Sequence, residues 1–156
     1  MAKGKAFFVV GHSNWGKSKT LRALTNGSGE RYINIKKARF FIRRTSNDDE
    51  WKKFDKFLKE LDPSRKPYVI VALCPKFDGR SRNIEEMLRQ LKKKYKLFFF
   101  VLVHQWHEKG NRKISDGEIK KLERFREVKL YTANNNRDNA DVTRAREFKR
   151  YIERKL

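Results

Sequence analysis

Eight residues near the start of the sequence, Gly11-His12-Ser13-Asn14-Trp15-Gly16-Lys17-Ser18, have the types and spacing to hold a phosphate. They satisfy G-x-x-x-x-G-K-[ST] at every fixed position. An anion is wrapped when backbone N–H groups point inward and the next helix aims its positive end at the same place. Gly11 and Gly16 are expected to give backbone angles and a close approach that a Cβ obstructs. Lys17 has the reach and charge for the β- and γ-phosphates, and the Ser18 hydroxyl suits Mg²⁺. The chemistry these types support is binding of ATP or GTP with Mg²⁺. His12, Ser13, Asn14, Trp15 and Lys19 complete the expected surround, with Trp15 packing behind the loop.

Such a loop works only if a strand delivers it and a helix follows it. Ala6 to Val10 is a short apolar run of aromatic and β-branched residues, the pattern of a buried strand. After Ser18, Leu21 and Leu24 fall on one side of a helical pattern and Lys19 and Arg22 on the other. With strand, loop and helix in this order, Gly11 to Ser18 resembles the Walker A motif of the P-loop NTPase superfamily.

The rest of the chain alternates strand and helix patterns. Thr25 to Gly29 is a loop. Arg31–Ile35 and Arg39–Arg44, joined by Lys36-Lys37-Ala38, predict a hairpin. Trp51, Phe54, Leu58 and Leu61 have helical spacing after the capping types of Thr45 to Asp49. Tyr68–Leu73 predicts a central parallel strand ending at Cys74-Pro75. A helix with Ile84, Met87, Leu88, Leu91 and Tyr95 on one face follows, then the strand Leu97–Val103. A short helix around Ile119, Leu122 and Phe125, the strand Val128–Tyr131, and a helix from about Ala140 with Val142, Ala145, Phe148 and Ile152 inward complete the chain. These elements predict an α/β fold. It is a three-layer α/β/α sandwich on a mainly parallel sheet with one antiparallel hairpin. One domain, 1–156, is expected, with no repeat or linker. The loops after Val10, Leu73, Val103 and Tyr131 should share one edge.

The order of elements resembles the small GTPase domain, and less closely the small P-loop kinases. Either resemblance implies a P-loop NTPase fold. The GTPase D-x-x-G is absent from Arg43 to Asp49, and its N-K-x-D is absent after Val103, where the sequence is His104-Gln105-Trp106-His107-Glu108. Thr132-Ala133-Asn134 is similar to that family's S-A loop, which places Asn134 near the base. The kinase resemblance implies a phosphate-clamping lid at Lys109 to Lys113. It lacks an acid after the second strand, and Cys74-Pro75 offers no Walker B aspartate.

A metal held by Ser18 needs a second carboxylate, often through water. Asp48 and Asp49 are the first candidates and Asp78 a weaker one; the alternative for the first two is capping the Trp51 helix. Arg43 and Arg44 face opposite ways, so one of them, Arg44 being the choice, is a candidate for stabilising phosphoryl-transfer charge. Gln105 and Trp106 are candidates for hydrogen bonding and stacking on a base, with core packing the alternative for Trp106. His12 and His107 lack partners at metal-ligand spacing.

Forty lysines and arginines against 19 acids give a net charge of +21, which repels itself unless something acidic is nearby. Nucleic acid is the first candidate partner, an anionic membrane or an acidic protein the second, and a merely solubilising surface the alternative. The basic stretches are Arg89, Lys92, Lys93, Lys94 and Lys96, and then Arg144, Arg146, Lys149, Arg150, Arg154 and Lys155. Their expected use is sequence-independent phosphate contact rather than base reading. Cys74, the single cysteine, suits a reducing compartment and a buried position. No signal peptide and no apolar run near 18 residues is evident, so a cytoplasmic protein without a membrane span is expected. The functional expectation is slow, Mg²⁺-dependent NTP hydrolysis on or beside nucleic acid, completed by a protein activator. The alternatives are a phosphotransferase and a non-hydrolysing, nucleotide-gated polyanion-binding module.

Overall fold

A computed structural model describes residues 3–12, 15–47, 49–76, 84–104, 113–132 and 140–156. In chain order their elements are β1 (Gly4–Val10), α1 (Lys17–Leu24), β2 (Tyr32–Ile35), β3 (Ala38–Arg43), α2 (Trp51–Glu60), β4 (Tyr68–Leu73), α3 (Ile84–Lys92), β5 (Tyr95–Leu102), α4 (Asp116–Glu123), β6 (Glu127–Tyr131) and α5 (Ala140–Lys155). The strands form one sheet in the order β2-β3-β4-β1-β5-β6. Only the β2–β3 pair is antiparallel.

β1 lies in the middle because its run is apolar on both faces. It pairs with β4 from Lys5↔Tyr68 to Val10↔Leu73 and with β5 from Gly4↔Tyr95 to Val10↔Val101. Ala6, Phe8 and Val10 enter a core completed by α2, α3 and α4. Phe7 and Val9 enter a second core, against α1 and α5. The phenylalanines meet across neighbouring strands: Phe8 stacks on Phe99 at 5.1 Å and Phe7 on Phe98 at 4.7 Å between ring centroids. Helices therefore cover both faces, and the parallel strands carry the loops after β1, β3, β4 and β5 to the same edge.

Three assignments differ from the sequence pattern. Tyr95 continues the spacing of α3 but opens β5, because the backbone of Gly4 pairs with it. Its hydroxyl donates to the Lys66 carbonyl at 2.6 Å. A Cβ on Gly4 would come within 2.5 Å of the Tyr95 ring. Ala38 belongs to β3, which leaves Lys36-Lys37 as a two-residue hairpin turn. Both lysines are left-handed, at φ 47° and 69°. That conformation costs an L-residue with a side chain about 1–2 kcal/mol, which glycine or asparagine largely avoids. Val142, expected inward, is 42% exposed. Among the described residues no helix is long and apolar enough to cross a membrane.

Candidate functional site

The glycine loop leaves β1 at its carboxyl end. The Gly11 N–H donates to the Leu73 carbonyl at 3.0 Å and so extends the β1–β4 ladder by one bond. Gly16, at φ 88°, turns the chain into α1, where the Thr20 N–H and hydroxyl both return to the Gly16 carbonyl. Lys17 is buried, and its Nζ donates to the Gly11 carbonyl and to the His12 carbonyl, the latter at 3.1 Å. The Trp15 N–H also donates to the His12 carbonyl at 3.1 Å. This amide is thus engaged inside the loop. The Trp15 ring packs into the core behind the loop and stands edge-on to His12 at 5.1 Å. Ser18 and Lys19 are exposed in the first turn of α1, which has no acid and no side-chain cap.

Residues far along the chain converge on this loop. Arg144 of α5 is 4% exposed. Its Nη1 donates to the Trp15 carbonyl at 3.2 Å. A Cβ built on Gly16 would come within 2.3 Å of its guanidinium. Burial pushes the Arg144 pKa down to about 10, against the opposing pull of Tyr131 and Asp141, so it remains a cation at neutral pH. His12 meets the Glu118 carboxylate of α4 at 3.0–3.1 Å. Glu118 is itself fixed by a capping box with Ser115. The Cys74 sulfur lies 3.9 Å from His12 Nδ1, and the cysteine is buried as expected. Asn47, 1% exposed, donates to the Cys74 carbonyl at 3.0 Å and accepts from the Cys74 N–H at 2.7 Å. An amide side chain there stands in for one residue of a neighbouring strand and anchors the loop after β3 beside β4.

Other expected site residues are placed elsewhere. The Asp49 carboxylate accepts from the Ser46 N–H at 2.9 Å and lies 3.4 Å from the Ser46 hydroxyl, closing a local turn. It does not cap α2, whose N-cap is Glu50. Arg44 reaches the loop after α1, donating to Thr25 Oγ1 at 3.0 Å and to the Ser28 carbonyl at 3.2 Å. That position suits anchoring of the hairpin to α1. Arg43 lies over Phe57, 5.0 Å from the ring centroid. Asp48, Ser13, Asn14, Gln105, Trp106 and Asn134 lie outside the described residues, as do Asp78, His107 and most of the expected lid. Apart from Lys96, the two basic stretches fall on opposite sides of the sheet and do not form one surface. Arg89 is paired with Glu86, and Lys94 donates to the Leu61 carbonyl at 2.7 Å on the α2–α3 side. Lys92 and Lys93 are exposed near them, whereas Lys96 is in phase with Phe98 and Phe100 on the α1–α5 side, and Arg146, Lys149 and Arg150 are exposed on α5.

Glu118 and Asn47 escaped the sequence pattern, and Arg144, expected as a surface cation of the second basic stretch, is instead buried against the loop. Arg144 left a signal. With Phe148 and Tyr151 it falls at i, i+4 and i+7, the buried side of α5.

The residues present suit a triphosphate with its metal. A Cβ on Gly11 would meet protein atoms only at ordinary contact distances, 3.4 Å and beyond. Within the chain alone, then, glycine is not required there, whereas an occupied cradle would require it. Two cations, Lys17 and Arg144, flank the loop, and the uncapped start of α1 favours an anion. Among the described residues no three His, Cys, Asp or Glu side chains cluster to hold a metal. The donors suit Mg²⁺ carried largely by phosphate oxygens and water, with one ligand from Ser18. Comparison with protein-family models and with curated proteins returns no match.

Proposed function

We propose that this chain binds a nucleoside triphosphate with Mg²⁺ at the Gly11–Ser18 loop, within a P-loop NTPase fold, and hydrolyses it slowly while acting on or beside nucleic acid. The observation that carries this reading is the buried Lys17 ammonium, held across the loop by the Gly11 and His12 carbonyls between the end of β1 and the start of α1. A lysine so placed exchanges carbonyl oxygens for β- and γ-phosphate oxygens without leaving the loop. Arg144 adds a second fixed cation behind Gly16. Ser18 offers its hydroxyl to Mg²⁺, which supplies charge neutralisation across the phosphates when bound. Asp49 is engaged with Ser46 and Glu118 with His12 and Ser115, so the described acids nearest the loop already have partners. That supports slow turnover and completion of the site by an activator.

The test is binding of ATP and GTP, with and without Mg²⁺, by the wild type, Lys17→Ala and Gly11→Ala, followed by release of labelled γ-phosphate. Loss of a hydrogen bond to a charged group, about 1.5–3 kcal/mol, weakens binding by Lys17→Ala about 10- to 100-fold. Gly11→Ala should melt like the wild type and still lose the nucleotide. Release as free phosphate supports hydrolysis, and its appearance on an added acceptor selects a phosphotransferase. Tight binding with neither selects a nucleotide-gated module. Equal affinity of wild type and Lys17→Ala overturns the site.

A further inference from the structure

Charge is divided unevenly between the two helical layers. On one side α2 carries four cations and two acids, α3 two and two, and α4 two and three. Many of these pair on the spot: Lys59 with Asp55 at 2.8 Å, Lys53 with Glu50 at 3.4 Å, Lys121 with Glu85 at 3.4 Å, and Arg89 with Glu86. On the other side α1 carries three cations and no acid, and α5 six cations and three acids. Residues 31–44, which include the edge hairpin, hold six cations and no acid, although Arg43 among them lies over Phe57 on the α2 side.

Lys17 and Arg144 of this second side are buried at the glycine loop, and Arg150 and Lys155 pair with Glu147 and Glu127 at 2.9 and 2.8 Å; the other cations of α1 and α5 are exposed. Arg146, Lys149, Arg150 and Arg154 follow one stripe along α5, beside Lys19 and Arg22 of α1. Lys36 at the hairpin tip donates to the Glu153 carbonyl at 3.2 Å, which seats the tip against the last turn of α5. The tip itself carries an independent sign of use. Lys36 and Lys37 both occupy left-handed backbone, where glycine or asparagine would be more stable. Lys36 recovers a hydrogen bond there. Lys37 is exposed and makes no hydrogen bond or ion pair among the described residues. A lysine held at a conformational cost, with no hydrogen bond or ion pair among the described residues, points to a partner outside the chain.

The partner's chemistry follows from what the surface lacks. The apolar face of α5, Phe148, Tyr151 and Ile152, is buried, so it has no apolar face to sink into a lipid boundary. A stripe of fixed cations suits a regular row of phosphates. We infer that the outer faces of α1 and α5, with the β2–β3 tip, form one sequence-independent docking surface for a nucleic-acid backbone, and that the α2–α3 side does not. This locates the nucleic-acid half of the proposed function and rests on that reading; it is independent of the nucleotide site.

The experiment is fluorescence anisotropy of a short mixed-sequence duplex and of one of its strands, over a range of salt and without nucleotide. Two charge-matched triple variants are compared, Arg146→Glu/Lys149→Glu/Arg154→Glu on α5 and Lys52→Glu/Lys56→Glu/Lys92→Glu on α2–α3. The α5 triple should lower the slope of log affinity against log salt by about three and abolish most binding at moderate salt. The α2–α3 triple should keep the wild-type slope. Lys37→Gly should raise the urea midpoint and weaken affinity several-fold, so a merely unfolded variant is not mistaken for support. Equal slopes for the two triples, or no wild-type binding at low salt, overturns the assignment. Competition by polyglutamate or anionic vesicles as strong as that by nucleic acid overturns the choice of partner. None of these outcomes depends on ATP or GTP binding, which the Lys17→Ala comparison tests separately.

Discussion

At the scale of single residues, Arg144 combines cost and use. Its guanidinium is charged yet packed against Gly16 and the Trp15 carbonyl, and burial is what lowers its pKa to about 10. A charge removed from water weakens the fold unless its surroundings return the lost solvation. A phosphate beside the loop would add to the carbonyl and the Asp141 charge that already face it. Arg144→Met keeps much of the volume and removes the charge. It also leaves the buried Trp15 carbonyl without that donor, so urea stability should fall by about 1–3 kcal/mol, while nucleotide affinity falls at least severalfold. Titrations of both quantities on one preparation check this; lost stability with unchanged affinity would make the arginine purely structural. The contrast with Lys17 shows what the sequence could reveal. Lys17 lies within eight contiguous residues and is legible at once. Arg144 meets Trp15 across 129 residues and His12 meets Glu118 across 106. Contacts of that separation exist only after the sheet has brought β1 beside its neighbours.

At the scale of elements, β1, β4 and β5 were readable because uninterrupted apolar runs have few places to go but the middle of a sheet. Boundaries were harder. Tyr95 satisfies the helical period of α3, yet ladder pairing with Gly4 claims it, and a period says nothing of pairing. The Ser46-Asn47 stretch had the composition of a helix cap, and its use is different: the Asn47 amide serves both polar groups of the Cys74 backbone. Asn47→Ala leaves a buried N–H and C=O without that partner. At about 1–3 kcal/mol for each buried group left unsatisfied, equilibrium urea unfolding should show a loss of at least about 1 kcal/mol. Asn47→Asp should be no better, because a carboxylate cannot donate to the Cys74 carbonyl. A midpoint within error of the wild type for Asn47→Ala would show that water replaces the amide and that the anchor is dispensable.

At the scale of the whole molecule, the net charge of +21 stores repulsion between like charges. Salt screens such repulsion over about 10 Å at 0.1 M ionic strength. The thermal midpoint should therefore climb as salt is added, by about 2–4 °C for each kcal/mol of repulsion removed. A fall on adding salt would mean that pairs such as Lys59–Asp55 and Lys155–Glu127 outweigh the excess of cations. The sheet order also has a consequence in time. β1 pairs on one side with residues from Tyr68 onward and on the other with residues from Tyr95 onward. A ribosome adds roughly 5–20 residues each second, so for several seconds the nascent chain carries Ala6 to Val10 with neither neighbour yet made. Until Leu102 has emerged, the glycine loop is only a string of letters: the last strand needed to hold it open is still being translated.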